Sequence, residues 1–176
     1  MIRRINFYGG SGTGKSTIAA DVYVALKRRG YSVELVREVI KLMAYQKRFP
    51  KSFKQAKVFM DQLDLEDDLL EHVKYIVTDS PIHMNIAYAQ HYGFEGWHDL
   101  LGLANKFETK YPSINFWCYR KWPYDPEGRY QTEDQSRQLD EIIRSIAERS
   151  IDLRRVFFDD MPFDSIIDRI ELEMKR

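Results

Sequence analysis

The chain has 176 residues, of which 44% are hydrophobic and 31% are charged, a balance typical of a globular protein. Basic and acidic residues both number 27, so the chain has no net charge to attract a polyanion, and any contact with nucleic acid needs a local basic patch. The single cysteine excludes an internal disulfide and a cysteine-rich zinc module. No stretch approaches the roughly 20 apolar residues of a transmembrane helix. We therefore expect one cytoplasmic domain over residues 1–176.

Short apolar runs alternate with helical patterns along the chain. Strands are predicted at about 2–8, 32–36, 75–78, 114–119 and 154–158, and helices at about 15–29, 41–48, 53–72, 82–91, 96–109, 133–150 and from 162. This alternation predicts an α/β fold of three layers, a five-stranded, mostly parallel sheet with helices on both faces. Ligands of such a sheet bind at the carboxyl ends of its strands.

The first predicted strand leads into the sequence Gly9–Ser16, which has the G-x-x-x-x-G-K-S pattern of a P-loop. Its glycines let the backbone curl tightly enough for N–H groups to surround a phosphate. Lys15 supplies a positive charge for the β- and γ-phosphates, and the Ser16 hydroxyl is a hard ligand for Mg²⁺. The following helix points its N-terminal dipole at the phosphates. We expect ATP and Mg²⁺ as ligands, with ATP held by Gly10, Ser11, Gly12, Thr13, Gly14, Lys15, Ser16 and Thr17.

Acidic residues follow the second and third predicted strands. Asp79 is a candidate for binding Mg²⁺ or for taking a proton from an acceptor hydroxyl, and the alternative is that it caps a helix. Glu38 is a candidate general base, and the alternative is a glutamate that interacts with a helix dipole. Arg37 is a candidate for binding an acceptor anion or for pairing with Glu38. Ser80 either assists acceptor binding or caps the helix.

The segment 120–137 is predicted to be a lid because it combines arginines, Arg120 among them, with prolines and a glycine. Phosphoryl transfer spreads charge over equatorial oxygens, and arginines that close over them stabilise that charge and exclude water. Arg129 is the first candidate for this role and Arg137 the second, and the alternative is a solvated loop. Asp160, after the last predicted strand, is a candidate for contacting the purine or for capping a helix.

A basic run follows the second predicted strand. It comprises Lys41, Lys47, Arg48, Lys51, Lys54 and Lys57, with aromatic residues interleaved. Basic and aromatic side chains together suit a phosphate-bearing acceptor that can stack, either a nucleotide or a strand of nucleic acid, and the alternative is a solvated face. We expect a helical acceptor-binding region at about 38–73. Its predicted acceptor contacts are Arg37, Glu38, Lys41, Tyr45, Asp79 and Ser80.

The helix predicted at about 53–72 has an apolar face and an acidic run. The apolar side chains on this helix are predicted to lie roughly on one face: Phe53, Ala56, Met60, Leu63 and Leu70. The acidic residues from Asp61 to Glu71, including Glu66, lack the spacing of a calcium loop. We expect these acidic residues to face solvent.

With these residues the chain resembles P-loop kinases of the nucleoside and nucleotide kinase type. Gly9–Ser16, Glu38, the sequence Thr78-Asp79-Ser80-Pro81 and the arginines of the predicted lid recur in that order. Within that class the chain is similar to nicotinamide-riboside-kinase-like ATPases and to small bacteriophage kinases, including those that phosphorylate 5-hydroxymethyluracil in DNA. The resemblance implies transfer of the γ-phosphate of ATP to a hydroxyl of a modified base in phage DNA. It implies Glu38 as the base, although Val39 replaces the proline that usually follows.

Several alternatives to this function stay open or are disfavoured. A free nucleoside, a nucleotide or nicotinamide riboside is the alternative acceptor, and a nucleotide sensor without catalysis is a further alternative. A GTPase is disfavoured because the sequence 105–108, which resembles the guanine-specifying N-K-x-D, ends in glutamate and lies in a helical pattern. A ring-forming ATPase is disfavoured because Ser80 stands after Asp79 where a water-activating glutamate would be.

Overall fold

The strands form one parallel sheet. The computed structural model describes residues 1–38, 54–121, 123–127, 129, 131–152, 156–158 and 160–176. The strands are β1 (Arg4–Tyr8), β2 (Val33–Val36), β3 (Tyr75–Thr78), β4 (Ser113–Trp117) and β5 (Val156–Phe158). Their order across the sheet is β2-β3-β1-β4-β5, and every neighbouring pair is parallel. The predicted α/β architecture with a parallel sheet is confirmed.

Helices cover both faces of this sheet. They are α1 (Lys15–Arg28), α2 (Lys54–His72), α3 (Ile82–His91), α4 (Trp97–Lys110), α5 (Glu133–Ser150) and α6 (Phe163–Lys175). Buried apolar side chains of α1 and α6 form one core with the sheet, and those of α2 to α5 form a second core on the opposite face. Within the described ranges, no helix combines the length and apolar character needed to span a bilayer.

The central strand β1 is buried on both faces. Ile5 and Phe7 point into the core shared with α1 and α6. The alternate residues Arg4, Asn6 and Tyr8 point to the opposite face, and all three are buried there. Polar side chains of this strand therefore need partners from the helices and strands around them, because water does not reach them.

Arg4 is the centre of a buried ion cluster at the beginning of β1. Its Nε donates to the carbonyl oxygen of Tyr111 at 2.9 Å, its Nη1 lies 3.3 Å from Oε2 of Glu66, and its Nη2 pairs with Glu108. The guanidinium also lies 4.8 Å from the centre of the Phe107 ring. Burial raises the pKa of Glu66 to about 7, and the charge of Arg4 opposes this shift. We call Arg4, Glu66 and Glu108 the Arg4 cluster.

This cluster overturns two predictions for α2. Met60, predicted to lie on the apolar face of the helix, is 37% exposed. Glu66, predicted to face solvent, is completely buried, and Gln62 lies beside it with its Nε2 at 3.3 Å from Oε1 of Glu66. The physical reason is Arg4, because a guanidinium buried under α2 needs a carboxylate and the helix turns its polar face inward to provide one. The buried side chains of α2 are Gln55, Val58, Phe59, Gln62, Glu66 and Leu70.

The segment that resembles a guanine-specifying motif is structural. Asn105 and Glu108 both lie inside α4, as predicted. Oδ1 of Asn105 lies 3.3 Å from Nε2 of His83, whose pKa burial lowers to about 3. Glu108 belongs to the Arg4 cluster and also accepts from the Ser113 hydroxyl at 2.7 Å. These partners hold α4 to α3 and to the sheet.

Candidate active site

The carboxyl end of β1 lies at the point in the sheet where the strand order reverses. The connection through α1 leads to β2 on one side of β1, and the connection from β3 to β4 crosses to the other side. Ligands of open α/β sheets bind at such a switch point. The segment Gly9–Ser16 leaves β1 here, Asp79 follows the neighbouring strand β3, and Arg120 follows β4 on the other side.

The segment Gly9–Ser16 curls into the start of α1. Gly14 adopts φ +82° immediately before the helix, a conformation that favours glycine. Its carbonyl oxygen accepts from the Thr17 N–H at 3.0 Å, so the first turn of α1 is formed. Ser16 and Thr17 are exposed in that turn. The backbone N–H groups at this helix start are therefore placed as an anion-binding site requires.

Lys15 lies inside the curl. Its Nζ donates to the Gly10 carbonyl oxygen at 2.8 Å, and the Thr13 hydroxyl donates to the same oxygen at 3.0 Å. Burial lowers the pKa of Lys15, while the negative charges of Glu38 and Asp79 act in the opposite direction. Among the described residues, the Lys15 ammonium thus donates to a backbone carbonyl oxygen, and a phosphate can replace that partner.

The two predicted acids lie next to each other. Oδ1 of Asp79 accepts from the backbone N–H of Glu38 at 3.2 Å, and Asp79 is only 6% exposed. The Ser80 hydroxyl oxygen is buried and has no hydrogen-bond partner among the described residues. Arg37 is exposed. The hydroxyl of Ser16 and the carboxylate of Asp79 are hard oxygen donors at this edge of the sheet, and such a donor set fits Mg²⁺.

The sequence from residue 4 to residue 162 matches the family profile described as AAA domain. The chain belongs to the AAA domain family. No curated protein matches it. This membership confirms a P-loop nucleotide-binding domain of the NTPase type, and such domains generally bind their nucleotide with Mg²⁺.

In this AAA domain, Arg129 lies against the P-loop. Its guanidinium stacks 4.7 Å above the centre of the Tyr124 ring. A Cβ atom at Gly12 would come within 2.5 Å of Nη1 of Arg129, so the two residues are in close contact. Nη1 is buried and has no hydrogen-bond acceptor in the described part of the chain. A buried guanidinium nitrogen beside a phosphate-binding loop is a donor available to a ligand.

Other predicted site residues of the AAA domain are not brought to the P-loop. Arg137 lies on α5 with its side chain 60% exposed, and it pairs with Glu133 at 2.7 Å. Asp160 is exposed after β5. Lys41 and Tyr45 lie outside the described residues, as does most of the basic run. Of that run, Lys54 and Lys57 are described, and they lie on the exposed side of α2.

Two linked hydrogen bonds beside the P-loop are not predicted by the sequence. The Ser11 hydroxyl donates to Oε1 of Gln131 at 3.1 Å, and Nε2 of Gln131 donates to the Tyr92 hydroxyl at 2.7 Å. Burial raises the pKa of Tyr88, and the negative charge of Glu38 adds to the shift. Tyr88 and Tyr92 lie four residues apart at the end of α3 and share a side of it. Helical spacing could have paired these tyrosines, but it could not have placed them near Glu38.

Arg120 and α5 make a further contact that the sequence did not indicate. Arg120 was predicted to belong to a lid, and the structure pairs it with Asp140 of α5 beside the P-loop. Ser136, one helical turn before Asp140, donates to the carbonyl oxygen of Ser11 at 2.8 Å. The hydrogen bond from Gly10 to Asp140 joins residues 130 positions apart, a separation at which no local pattern carries a signal.

Proposed function

We propose that this AAA domain is an ATP-dependent kinase that transfers the γ-phosphate to a hydroxyl of a nucleotide-like acceptor. The observation that carries the proposal is Nη1 of Arg129, a buried donor without an acceptor in the described part of the chain and in contact with Gly12. Nucleotide binding alone requires the P-loop and Mg²⁺. Phosphoryl transfer also requires positive charge on the equatorial oxygens of the moving phosphoryl group, and this arginine supplies it.

Phosphate binding falls to the P-loop in this proposal. Lys15 exchanges the Gly10 carbonyl for the β- and γ-phosphate oxygens, and the amides at the start of α1 surround the same phosphates. Ser16 and Asp79 would hold Mg²⁺, which neutralises phosphate charge when it is bound. In this proposal Arg129, which already contacts Gly12, turns its guanidinium onto the γ-phosphate, while Arg120 and Ser136 keep their contacts with Ser11.

Glu38 is the general base in this proposal. The acceptor oxygen attacks the γ-phosphorus, the bond to the β–γ bridging oxygen breaks, ADP leaves, and the acceptor proton passes to the Glu38 carboxylate. Asp79 is the less suitable base because one of its oxygens accepts from the Glu38 N–H and the metal would engage the carboxylate. The phenols of Tyr88 and Tyr92 line the same side and provide surfaces on which a base can stack.

The identity of the acceptor depends on whether the protein binds DNA or a free nucleoside-like compound. A 5-hydroxymethyluracil base in DNA requires a positively charged track, for which the sequence offers Lys41–Lys57. A free nucleoside, a nucleotide or nicotinamide riboside requires only the pocket near Glu38. Lys57 pairs with Asp61 at 2.6 Å, so one cation of that run is partly neutralised within α2. We propose the DNA base as the first acceptor to test and the free compounds as the second.

The deciding experiment measures ADP release from Mg·ATP against a panel of acceptors. The panel contains nucleosides, nucleoside monophosphates, nicotinamide riboside, oligonucleotides with a 5′-hydroxyl, and DNA containing 5-hydroxymethyluracil. We expect one class to stimulate ADP release and to carry the label of γ-³²P-ATP afterwards. ATP binding without stimulation by any class would overturn the kinase proposal and favour a nucleotide sensor.

Glu38→Gln tests the base directly. We expect turnover to fall about 10²-fold or more while ATP affinity stays unchanged, because the amide can hold a hydroxyl but cannot take its proton. Glu34→Gln is the matched control, since Glu34 lies on β2, the strand that leads to Glu38, and pairs with Lys27 on the surface. Near-normal turnover of the Glu38 variant would transfer the role to Asp79.

A further inference from the structure

Helix α5 approaches the P-loop so closely that Gly10 has no room for a side chain. A Cβ atom at Gly10 would come within 2.6 Å of Oδ1 of Asp140 and within 2.7 Å of the carbonyl oxygen of Ser136. The glycine at this position is therefore required by the neighbouring helix, whereas Gly12 and Gly14 have positive φ angles. Such a close contact fixes the loop relative to α5.

The backbone of Gly10 is held on two sides. Its N–H donates to Oδ1 of Asp140 at 2.5 Å, and its carbonyl oxygen accepts from Nζ of Lys15 at 2.8 Å. A hydrogen bond from a backbone N–H to a carboxylate is among the stronger ones in proteins. Asp140 and Lys15 therefore both bind the backbone of Gly10, one at its N–H and the other at its carbonyl oxygen.

Arg120 completes the contact from the other side. Its Nη1 pairs with Oδ2 of Asp140, and its Nη2 donates to the Ser136 hydroxyl at 2.5 Å and to the carbonyl oxygen of Ser11 at 3.3 Å. The side chains of Arg120 and Asp140 are only 11% and 18% exposed. Each oxygen of Asp140 thus has its own partner, one in the P-loop and one on Arg120.

We infer that Asp140 is a positioning residue that keeps the P-loop in its nucleotide-binding conformation, with Arg120 and Ser136 as its supports. The loop is rich in glycine and would lose much conformational freedom on binding a nucleotide. A helix that already holds Gly10 and Ser11 removes part of that entropic loss before the nucleotide arrives. The affinity for the nucleotide, more than the stability of the core, should therefore depend on Asp140.

The test compares nucleotide affinity with thermal stability in the full chain. Dissociation constants for Mg·ATP and Mg·ADP are measured by titration calorimetry, and the unfolding midpoint is measured without nucleotide. We expect Asp140→Ala to raise the dissociation constants of both nucleotides about ten- to a hundredfold, the range for a lost hydrogen bond to a charged group. Asp140→Asn should weaken them less, because its amide oxygen still accepts from the Gly10 N–H.

Two controls separate positioning from folding. Glu141→Ala removes the same charge from the next, exposed position of α5 and should leave both dissociation constants unchanged. Hydrogen exchange of the Gly10 amide should accelerate in Asp140→Ala while exchange in β1 stays slow. A lower midpoint with unchanged affinities would overturn the inference, because Asp140 would then be purely structural.

The result is decided even if Asp140→Ala does not fold. Asp140→Asn and Ser136→Ala make smaller changes at the same contact, and normal ATP affinity in both would overturn the inference. The readout is nucleotide affinity and requires no acceptor. A chain that fails the acceptor panel and still loses ATP affinity in Asp140→Ala would therefore refute the kinase proposal and support this one.

Discussion

Charged side chains lie near both ends of β1, but they differ in whether the fold supplies their hydrogen-bond partners. At its beginning, Nε, Nη1 and Nη2 of Arg4 all have oxygen partners from the fold itself. At its end, Lys15 donates to a carbonyl of its own loop, and Nη1 of Arg129 has no acceptor in the described part of the chain. The first cluster is closed, and the second is open to a ligand.

The difference shows how burial of charge separates a structural site from a functional one. A buried charge whose partners all belong to the fold strongly resists removal of either partner, but it has no capacity left for a ligand. A buried charge with a weak partner or none keeps part of its desolvation cost. A phosphate that pairs with this charge can offset that cost. Variants at the two ends of β1 should therefore affect different properties.

The largest effect is expected at the open end. Lys15→Ala should reduce ATP-dependent turnover to background, because the charge that faces the β- and γ-phosphates is lost. The unfolding free energy should change little, since Lys15 contacts the carbonyl of Gly10 and the chain keeps its core. Turnover is measured by ADP release and stability by urea denaturation. Lys106→Ala, an exposed lysine of α4 outside the basic run, is the control, and full activity of Lys15→Ala would refute the phosphate role.

The closed end should show the reverse. Arg4→Met should lower the unfolding free energy by about 3–5 kcal/mol, because Glu66 and Glu108 are left buried without a cation. The ATP affinity of the folded fraction should stay unchanged. Arg137→Met breaks an exposed pair with Glu133 and should cost under about 1 kcal/mol. A loss of ATP affinity in fully folded Arg4→Met would show that the Arg4 cluster and the P-loop are energetically coupled.

The sequence predicts the open end much better than the closed one. The P-loop is a local pattern, and the α/β alternation places it at a strand end, so the sequence alone locates Lys15 and Asp79 at the carboxyl edge of the sheet. Arg4 and Glu66 are 62 positions apart, and each alone is typical of a solvated surface. Only the covering of both sheet faces, which brings α2 over β1, turns them inward.

The same reason explains what was missed within the site. Asp140 meets Gly10 through the packing of α5 against the loop, and the packing of α3 brings Tyr88 close enough for the charge of Glu38 to raise its pKa. Helix phase predicts which residues share a face, but the element opposite that face is set by the strand order. The segment with arginines and prolines predicts both Arg129 and Arg137 as candidates, and the structure shows that Arg129 contacts Gly12 whereas Arg137 pairs with Glu133.

A smaller effect is expected at Arg129. Arg129→Ala should lower turnover about 10²-fold with a modest change in ATP affinity, because the interaction with the phosphoryl oxygens is strongest in the transition state. Arg129→Lys should recover only part of the loss, since an ammonium lacks the planar fork of a guanidinium. Arg137→Ala is the matched control from the same predicted lid. An equal loss in both alanine variants would assign the effect to the segment as a whole and not to Nη1.

The smallest effect concerns the pH dependence of stability at the closed end. Burial raises the pKa of Glu66 from its ordinary value of 4.5 to about 7, so between these pH values the folded chain holds a proton that the unfolded chain has released. The contribution of Glu66 to the unfolding free energy should therefore be full below pH 4.5 and fall by about 1–3 kcal/mol as the pH rises through 7. Glu66→Gln is neutral at every pH and keeps an oxygen for Nη1 of Arg4, so it should remove this slope.

Urea denaturation at pH 5, 6, 7 and 8 measures the slope, with the exposed Glu71→Gln of the same helix as control. A stability that rises with pH would mean that the attraction of Arg4 for the Glu66 carboxylate exceeds the effect of burial, since the folded chain would then hold fewer protons than the unfolded one. ATP affinity should follow the same pH profile in the wild type and in Glu66→Gln. The Arg4 cluster should gain or lose its proton without changing the partners of Lys15. Equal pH profiles of ATP affinity in the two proteins would therefore show that protonation of Glu66 is not coupled to nucleotide binding at the other end of β1.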